Sequence, residues 1–347
     1  MTAPSTFDAL VLLRAKKGEL AALARVAEDR GVQPVLALDH DPNGSVDGLL
    51  DRVEAAARNF WQLGRAVMLD ATNMATAPGG TGEILERLAR RLNAPLELFQ
   101  SEVPFVPVAD GGMDDSLLAR IGTLAGAEAH GCALRIRARG TPFSSIDRAV
   151  TQLGVEPADL DLILDAGYVP GPDDRLVDDL LELVGGAAQY AGLRSISVLS
   201  GSVPKTLDRI DQWEQPRFEE GLWRSVRDAG AAHLRFGDYG AVHPVASSAP
   251  WRSKHISLKY TCADHWFYLR ERIMDPDLED ARVRTVRAVS SQLVASGSFC
   301  GAEYSWGDHE VAAAANGAGR GLGDASKPVA IATSHHLAYL GDFAAAA

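Results

Sequence analysis

His233-Leu234-Arg235-Phe236-Gly237-Asp238-Tyr239-Gly240 is the stretch whose reading decides the fold. It has the pattern of a short strand that ends in a tight polar corner bounded by glycine, the residue that turns at least steric cost. The same unit recurs upstream: an apolar strand, a polar or charged residue at its end, then a helix. Val35-Leu36-Ala37-Leu38-Asp39 and Ala66-Val67-Met68-Leu69-Asp70 show it most plainly. Such uninterrupted apolar runs suit strands covered on both faces, as in parallel sheets. Counting from Asp8–Lys16, the quoted stretch is the eighth strand.

The strands between are expected at Pro104–Val108, Ala133–Ala138, Leu160–Asp165 and Ile196–Ser200. Helices are expected over 19–30, 45–64, 83–92, 115–130, 144–154, 173–190 and about 218–229. Strands alternating with helices on short loops imply parallel pairing with right-handed crossovers. An open doubly wound sheet satisfies the same alternation, but eight units favour closure into a TIM-like (β/α)8 barrel over residues 1–244. The fourth strand fits least well, because its prolines suit a sheet edge. After Pro244 the pattern loosens into a strand within Trp251–Tyr260, an amphipathic helix over Ala281–Ala295, a small-residue, loop-like tract over Ala312–Gly323 and a last strand at Val329–Leu340. These predict a C-terminal α+β extension, residues 245–347, packed on the barrel.

Acidic residues outnumber basic ones 46 to 34, for a net charge of −12, which argues against broad adhesion to nucleic acid or anionic membrane. The three cysteines lack ligand-like spacing and point to a reducing compartment. The first residues lack the cationic start and apolar run of a secretion signal. No window approaches the roughly 20 apolar residues of a membrane helix, so the expectation is a cytoplasmic protein with no membrane partner. Neither a His-Glu-x-x-His pair, a phosphate-binding P-loop nor a Gly-x-Ser-x-Gly elbow occurs. The Gly79–Gly82 run does not directly follow a strand and lacks the acidic ribose partner of a dinucleotide fingerprint. The sequence therefore indicates no metal and names no cofactor.

Barrels of this kind collect their chemistry at the carboxyl ends of the strands. Side-chain alternation points Arg14 and Lys16 of the first strand, Arg135, Arg137 and Arg139 of the fifth, Asp161 and Asp165 of the sixth and Arg235 of the eighth into the interior or the mouth. Arg14, Arg135, Asp161 and Arg235 are expected to be paired fill below the site, because buried charges persist only when compensated. Lys16, Asp39, Asp70, Arg137, Asp165, Ser200 and Asp238 fall at the rim; Asp39 and Asp70 equally suit helix caps. The Ser200-Gly201-Ser202 turn leaves backbone N–H groups free for an anion such as phosphate, although the same tripeptide makes ordinary turns. Adjacent His335 and His336, read on a strand, point to opposite faces and cannot share a metal.

Two functions fit this pattern. In the first, Lys16, Arg137, Ser200 and Ser202 hold a phosphate-bearing small molecule or nucleotide. Asp165 or Asp238 then acts as general base, in a hydrolase for example, while Tyr239 stacks on or hydrogen-bonds a base or sugar. In the second, the protein is a non-catalytic immunity or antitoxin-like module, and Trp251, Trp266 and Trp306 anchor a protein partner from the same locus. Those tryptophans serve equally well to pack the extension onto the barrel.

A set of short motifs occurs in order along nearly the whole chain: Lys16-Lys17-Gly18-Glu19, Ser200-Gly201-Ser202-Val203-Pro204, Phe236-Gly237-Asp238-Tyr239-Gly240 with His243-Pro244, Lys259-Tyr260-Thr261, Ser305-Trp306-Gly307-Asp308 and His335-His336-Leu337. In these the sequence resembles the beta protein family of phages, satellite phages and bacterial mobile elements. The resemblance implies a single domain of about this length and an association with phage-defence or toxin-immunity loci. It implies no reaction, and so transfers no catalytic residue.

Overall fold

Strands that are apolar on both faces must be covered on both, and the chain does so by closing the sheet on itself and wrapping helices around it. The computed structural model describes residues 7–94, 102–128, 130–245, 254–274, 280–318 and 326–346. Strands β1 (Ala9–Arg14), β2 (Val32–Ala37), β3 (Val67–Asp70), β4 (Phe105–Asp110), β5 (Cys132–Arg137), β6 (Leu160–Tyr168) and β7 (Ser195–Gly201) follow one another around the barrel. The next strand, β8 (Asp211–Pro216), leaves it. Then β9 (Arg235–Asp238) returns between β7 and β1 and closes a parallel barrel of eight strands, pairing Ala9 with Phe236 and Ser200 with Asp238. The open-sheet alternative is thereby removed.

The connecting helices are α1 (Lys17–Leu23), α2 (Val46–Trp61), α3 (Gly80–Asn93), α4 (Asp115–Glu128), α5 (Ser144–Leu153), α6 (Asp174–Ala187) and α7 (Phe218–Asp228). Ser45 and Asp173 cap α2 and α6, accepting from the amides of Gly48 and Leu176. Leu13, Leu36, Leu69, Leu134 and Leu162 face the helices. Leu10, Leu12, Val35, Met68, Val106, Ile163 and Leu199 fill the barrel itself. At the amino end, Phe7 closes the bottom beneath the Arg235 guanidinium, 4.6 Å from its ring centre. The middle of the barrel is therefore apolar, and the polar groups of the mouth gather toward the carboxyl ends.

The fourth strand runs two residues beyond its expected end and finishes in Asp110. Its Pro107 is tolerated in a closed barrel because β4 begins pairing with β5 only at Val108. Elsewhere the sequence expectations need correction. Val329–Leu340 belongs to a helix, α10 (Ser326–Ala346), with no strand there. Ala330, Ile331, Thr333, His335, His336 and Leu340 are all buried, so the helix presents no polar face whose period would reveal it. The start of the supposed loop tract closes a second helix, α9 (Trp306–Ala315), while residues 319–323 of that tract lie outside the described residues. Strand β8 was not anticipated, since Asp-Gln-Trp-Glu-Gln-Pro is a polar edge strand with solvent on one face.

That strand joins β10 (His255–Thr261) and β11 (His265–Arg272) in an antiparallel sheet of order β10-β11-β8. The sheet and α8 (Ala281–Ala295) enclose their own apolar cluster, with Leu258, Phe267, Val289 and Leu293 at its centre. Two glycines mark where α10 lies closest to its neighbours. A Cβ at Gly18 would stand 2.8 Å from the Ser326 carbonyl, and one at Gly307 would stand 2.3 Å from that of Ile331. Among the described residues, no helix is long and apolar enough to cross a membrane.

Candidate functional site at the barrel mouth

The strand-end aspartates share one local device. Asp70, Asp110, Asp165 and Asp238 each accept, at 2.9 Å, the backbone N–H two residues ahead, from Thr72, Gly112, Gly167 and Gly240. The aspartate's own turn thus carries the chain out of the barrel. At Gly167 and Gly240 the turn needs a left-handed backbone, φ +68° and +60°, which explains the Asp-x-Gly spacing. One carboxylate oxygen is used by the turn, and the other is left for partners across the mouth.

Three of these second oxygens converge on Arg135. Its guanidinium stands 2.6 Å from Asp70, 3.2 Å from Asp110 and 4.0 Å from Asp165. Arg135, Asp70, Asp110 and Asp165 are all buried. One cation among three carboxylates leaves a negative surplus. Burial raises the Asp165 carboxyl above its ordinary range, against the pull of Arg135 and of the Tyr239 hydroxyl. Tyr239 donates to Asp165 at 2.6 Å, and burial followed by that carboxylate's charge holds the phenol well above its usual value. Proton exchange between Asp165 and a neighbour is the acid–base chemistry this corner can supply.

Asp238 is engaged differently. Both its oxygens lie within 3.0 Å of His336 Nε2, and His336 Nδ1 meets the Thr261 hydroxyl at 2.8 Å. The sequence of partners is that of a nucleophile relay, yet Asp238, His336 and Thr261 are at most 1% exposed. This chain ties β9 to α10 and β10. His335 makes a parallel tie, contacting Asp308 at 2.9 Å and the Thr261 carbonyl at 2.8 Å. Both histidines act inside a helix, each with its own carboxylate. Among the described residues, no group of His, Cys, Asp and Glu is arranged to hold a metal ion.

The expected anion holders all lie at the carboxyl ends of their strands, but they are not equivalent. Lys16 is exposed at the start of α1. The Arg137 side chain is 70% exposed and stands 4.0 Å from Asp110, beside Asp165 in the β5–β6 register. Ser200 and Ser202 are fully buried. The Ser202 hydroxyl is spent on Glu219, which also receives Trp266 Nε1 at 2.8 Å and Arg217 Nε at 3.2 Å. Burial raises the Glu219 carboxyl. Among the described residues, Ser200 Oγ has no hydrogen-bond partner. Of the tryptophans, Trp266 is buried and Trp306 is covered by Arg25 and Lys327, at 4.2 and 4.5 Å from its ring; Trp251 lies outside the described residues.

Two residues expected below the site belong to the mouth itself. Arg14 is the last residue of β1; it pairs with Asp39 at 2.8 Å and donates to the Pro244 carbonyl at 2.6 Å. Arg135 is the hub just described. The amino-end assignment holds for Asp161, which pairs with Arg194 and Ser195, and for Arg235. The misplacement follows from the strand ends: β1 stops at Arg14 and β4 reaches Asp110, so the polar layer sits lower than the expected register placed it. Sequence reading gave no site role to Asp110, Glu19, Lys259 or His336. The Asp-x-Gly repeat could have exposed Asp110, whereas nothing local marks a histidine reaching the barrel from 98 residues downstream.

The architecture and the mouth define a (β/α)8-barrel protein with a C-terminal α+β extension folded over one side of its rim. The chain belongs to the Beta protein family, whose model matches residues 11–342. Similar solved structures include the type I 3-dehydroquinate dehydratase of Clostridium difficile, at 11% identity and TM-score 0.41 over 71% of this chain and 90% of that one. The 3-dehydroquinate dehydratase of Enterococcus faecalis is similar at 15% identity and TM-score 0.39, over 68% and 90%. A fusion of a xylose isomerase-like TIM barrel with 4-hydroxyphenylpyruvate dioxygenase is similar at 13% identity and TM-score 0.34, over 71% of this chain and 40% of that chain. No curated protein matches the sequence.

Proposed function

We propose that this protein binds a phosphate-bearing small molecule, a nucleotide among them, at the carboxyl rim of the barrel, within the phage-defence or toxin-immunity setting that the family resemblance implies. The observation that carries the reading is a set of cations around the mouth of an otherwise acidic chain. Protonation of His243 is disfavoured first by burial and then by the charges of Lys205, Lys259 and Arg14. Lys16 lies exposed at the end of the same strand as Arg14, and Arg137 is exposed across the mouth. An anion entering there meets several positive charges while the carboxylates are held back by Arg135 and their own turns. Tyr168, tilted against His243 with ring centres 4.7 Å apart, offers an aromatic edge to a base or sugar.

In a hydrolytic reading, Asp165 is the proton-exchanging group, because its carboxyl is raised toward neutrality and lies beside Arg137. Asp238, locked to His336, positions the rim. Thermal-shift titration with nucleoside mono-, di- and triphosphates and with inorganic phosphate tests the proposal. A ligand at 100 times its dissociation constant adds about 3 kcal/mol of stability, and Lys16→Ala combined with Arg137→Ala abolishes the shift. If no phosphate compound moves the wild-type transition, the reading fails.

A further inference from the structure

A second polar feature lies outside the mouth network, where the extension meets the barrel. A cavity of about 200 Å3 is walled by Ala241 after β9, Ile256 and Lys259 of β10, Arg282 of α8, and Val329 and Ala332 of α10. Most of the wall is apolar. Lys259 is half-buried in it, and its Nζ donates to the Ala241 carbonyl at 2.9 Å. Among the described residues it forms no ion pair within 4 Å, and the one carboxylate whose charge acts on it is that of Glu19. Glu19 is itself buried, and among the described residues its Oε1 has no hydrogen-bond partner. It belongs to the start of α1, where the preceding Gly18 lies against Val329, a residue of the cavity wall.

An ammonium held in an apolar wall without a counter-ion is costly, so the fold shifts the balance toward the free amine there. Burial lowers Lys259 to about 8 and raises Glu19 to about 7. At pH 7 about a tenth of Lys259 is then the nucleophilic free amine and about half of Glu19 carries a proton. Ordinary surface lysines are almost wholly protonated at that pH.

We propose that Lys259 is an imine-forming lysine, and that the cavity takes a small aldehyde or ketone bearing an anionic group that faces Arg282. The amine nitrogen adds to the carbonyl carbon, and the π pair moves to oxygen, which takes up a proton. The nitrogen lone pair then forms C=N as the hydroxyl, protonated from solvent, departs as water and the nitrogen returns one proton to solvent. No oxidant or reductant is consumed in this step.

The test uses the intact wild-type chain with glyoxylate as the probe carbonyl and cyanoborohydride to trap the imine, followed by peptide mapping. Lys259 should acquire a carboxymethyl group about tenfold faster than any of the other five lysines at pH 7, and unfolding in urea should abolish that preference. Labelling of Lys259 no faster than that of exposed Lys254 overturns the proposal. Because no variant is required, misfolding cannot mask the outcome. Arg137→Ala should leave the labelling unchanged, so this inference and the phosphate reading of the mouth can fail separately.

Discussion

Replacing Arg135 with Met removes the single cation that three barrel carboxylates share, while keeping an unbranched side chain in the space. Asp70, Asp110 and Asp165 are 2, 8 and 9% exposed, so water cannot take over the role of the guanidinium. Stranding buried charge in this way costs about 3–5 kcal/mol at pH 7. The pH dependence separates this cause from a simple packing loss. A carboxyl whose folded-state pKa exceeds its unfolded value favours folding most at low pH, and that advantage is lost as pH rises toward the folded value. Asp165 already sits in this regime, and loss of the Arg135 charge that pulls against it deepens the effect. Urea unfolding should therefore show a loss of about 4 kcal/mol at pH 7, shrinking to about half near pH 4.5. A loss below about 1 kcal/mol, or an equal loss at both pH values, would refute the picture of a charge-balanced hub.

Glu19 provides a second test. Its rise from 4.5 to about 7 means that wild-type stability falls between those values as pH increases, by about 3 kcal/mol in full. Glu19→Gln should flatten that slope in denaturation curves taken at pH 5 and pH 8, and an unchanged slope would contradict it. At the seam between α9 and α10, Gly307→Ala would push a methyl against the Ile331 carbonyl. Strain of this kind costs about 1–3 kcal/mol, and faster amide exchange over both helices should accompany the drop in stability.

The fold was legible wherever one physical pattern had a single reading. Val35–Asp39 and Ala66–Asp70 could only be buried parallel strands, and the eight-fold recurrence pointed to closure. Where an element was buried on every side, as in α10, or was a polar edge, as in β8, periodicity carried no information and the reading failed or fell silent. The rim was legible in part for a related reason. Strand-end residues such as Lys16, Arg137 and Asp165 can be placed by counting along a strand. Partners that meet through tertiary packing, such as His336 with Asp238 or Lys259 beside Glu19, cannot. Arg135 was placed on the right face and at the wrong height, because a barrel's vertical scale depends on where each strand stops.

The path of the chain through β8 has a consequence for how the molecule is made. This strand is cut from the segment linking two barrel staves, yet its hydrogen-bonding neighbour, β11, is synthesised some fifty residues later, and α10, which ties down β9 through His336, comes later still. A nascent chain that has delivered its eighth stave therefore still carries an unpartnered ribbon and an aspartate awaiting its histidine. The rim is thus fastened by segments synthesised after the last stave.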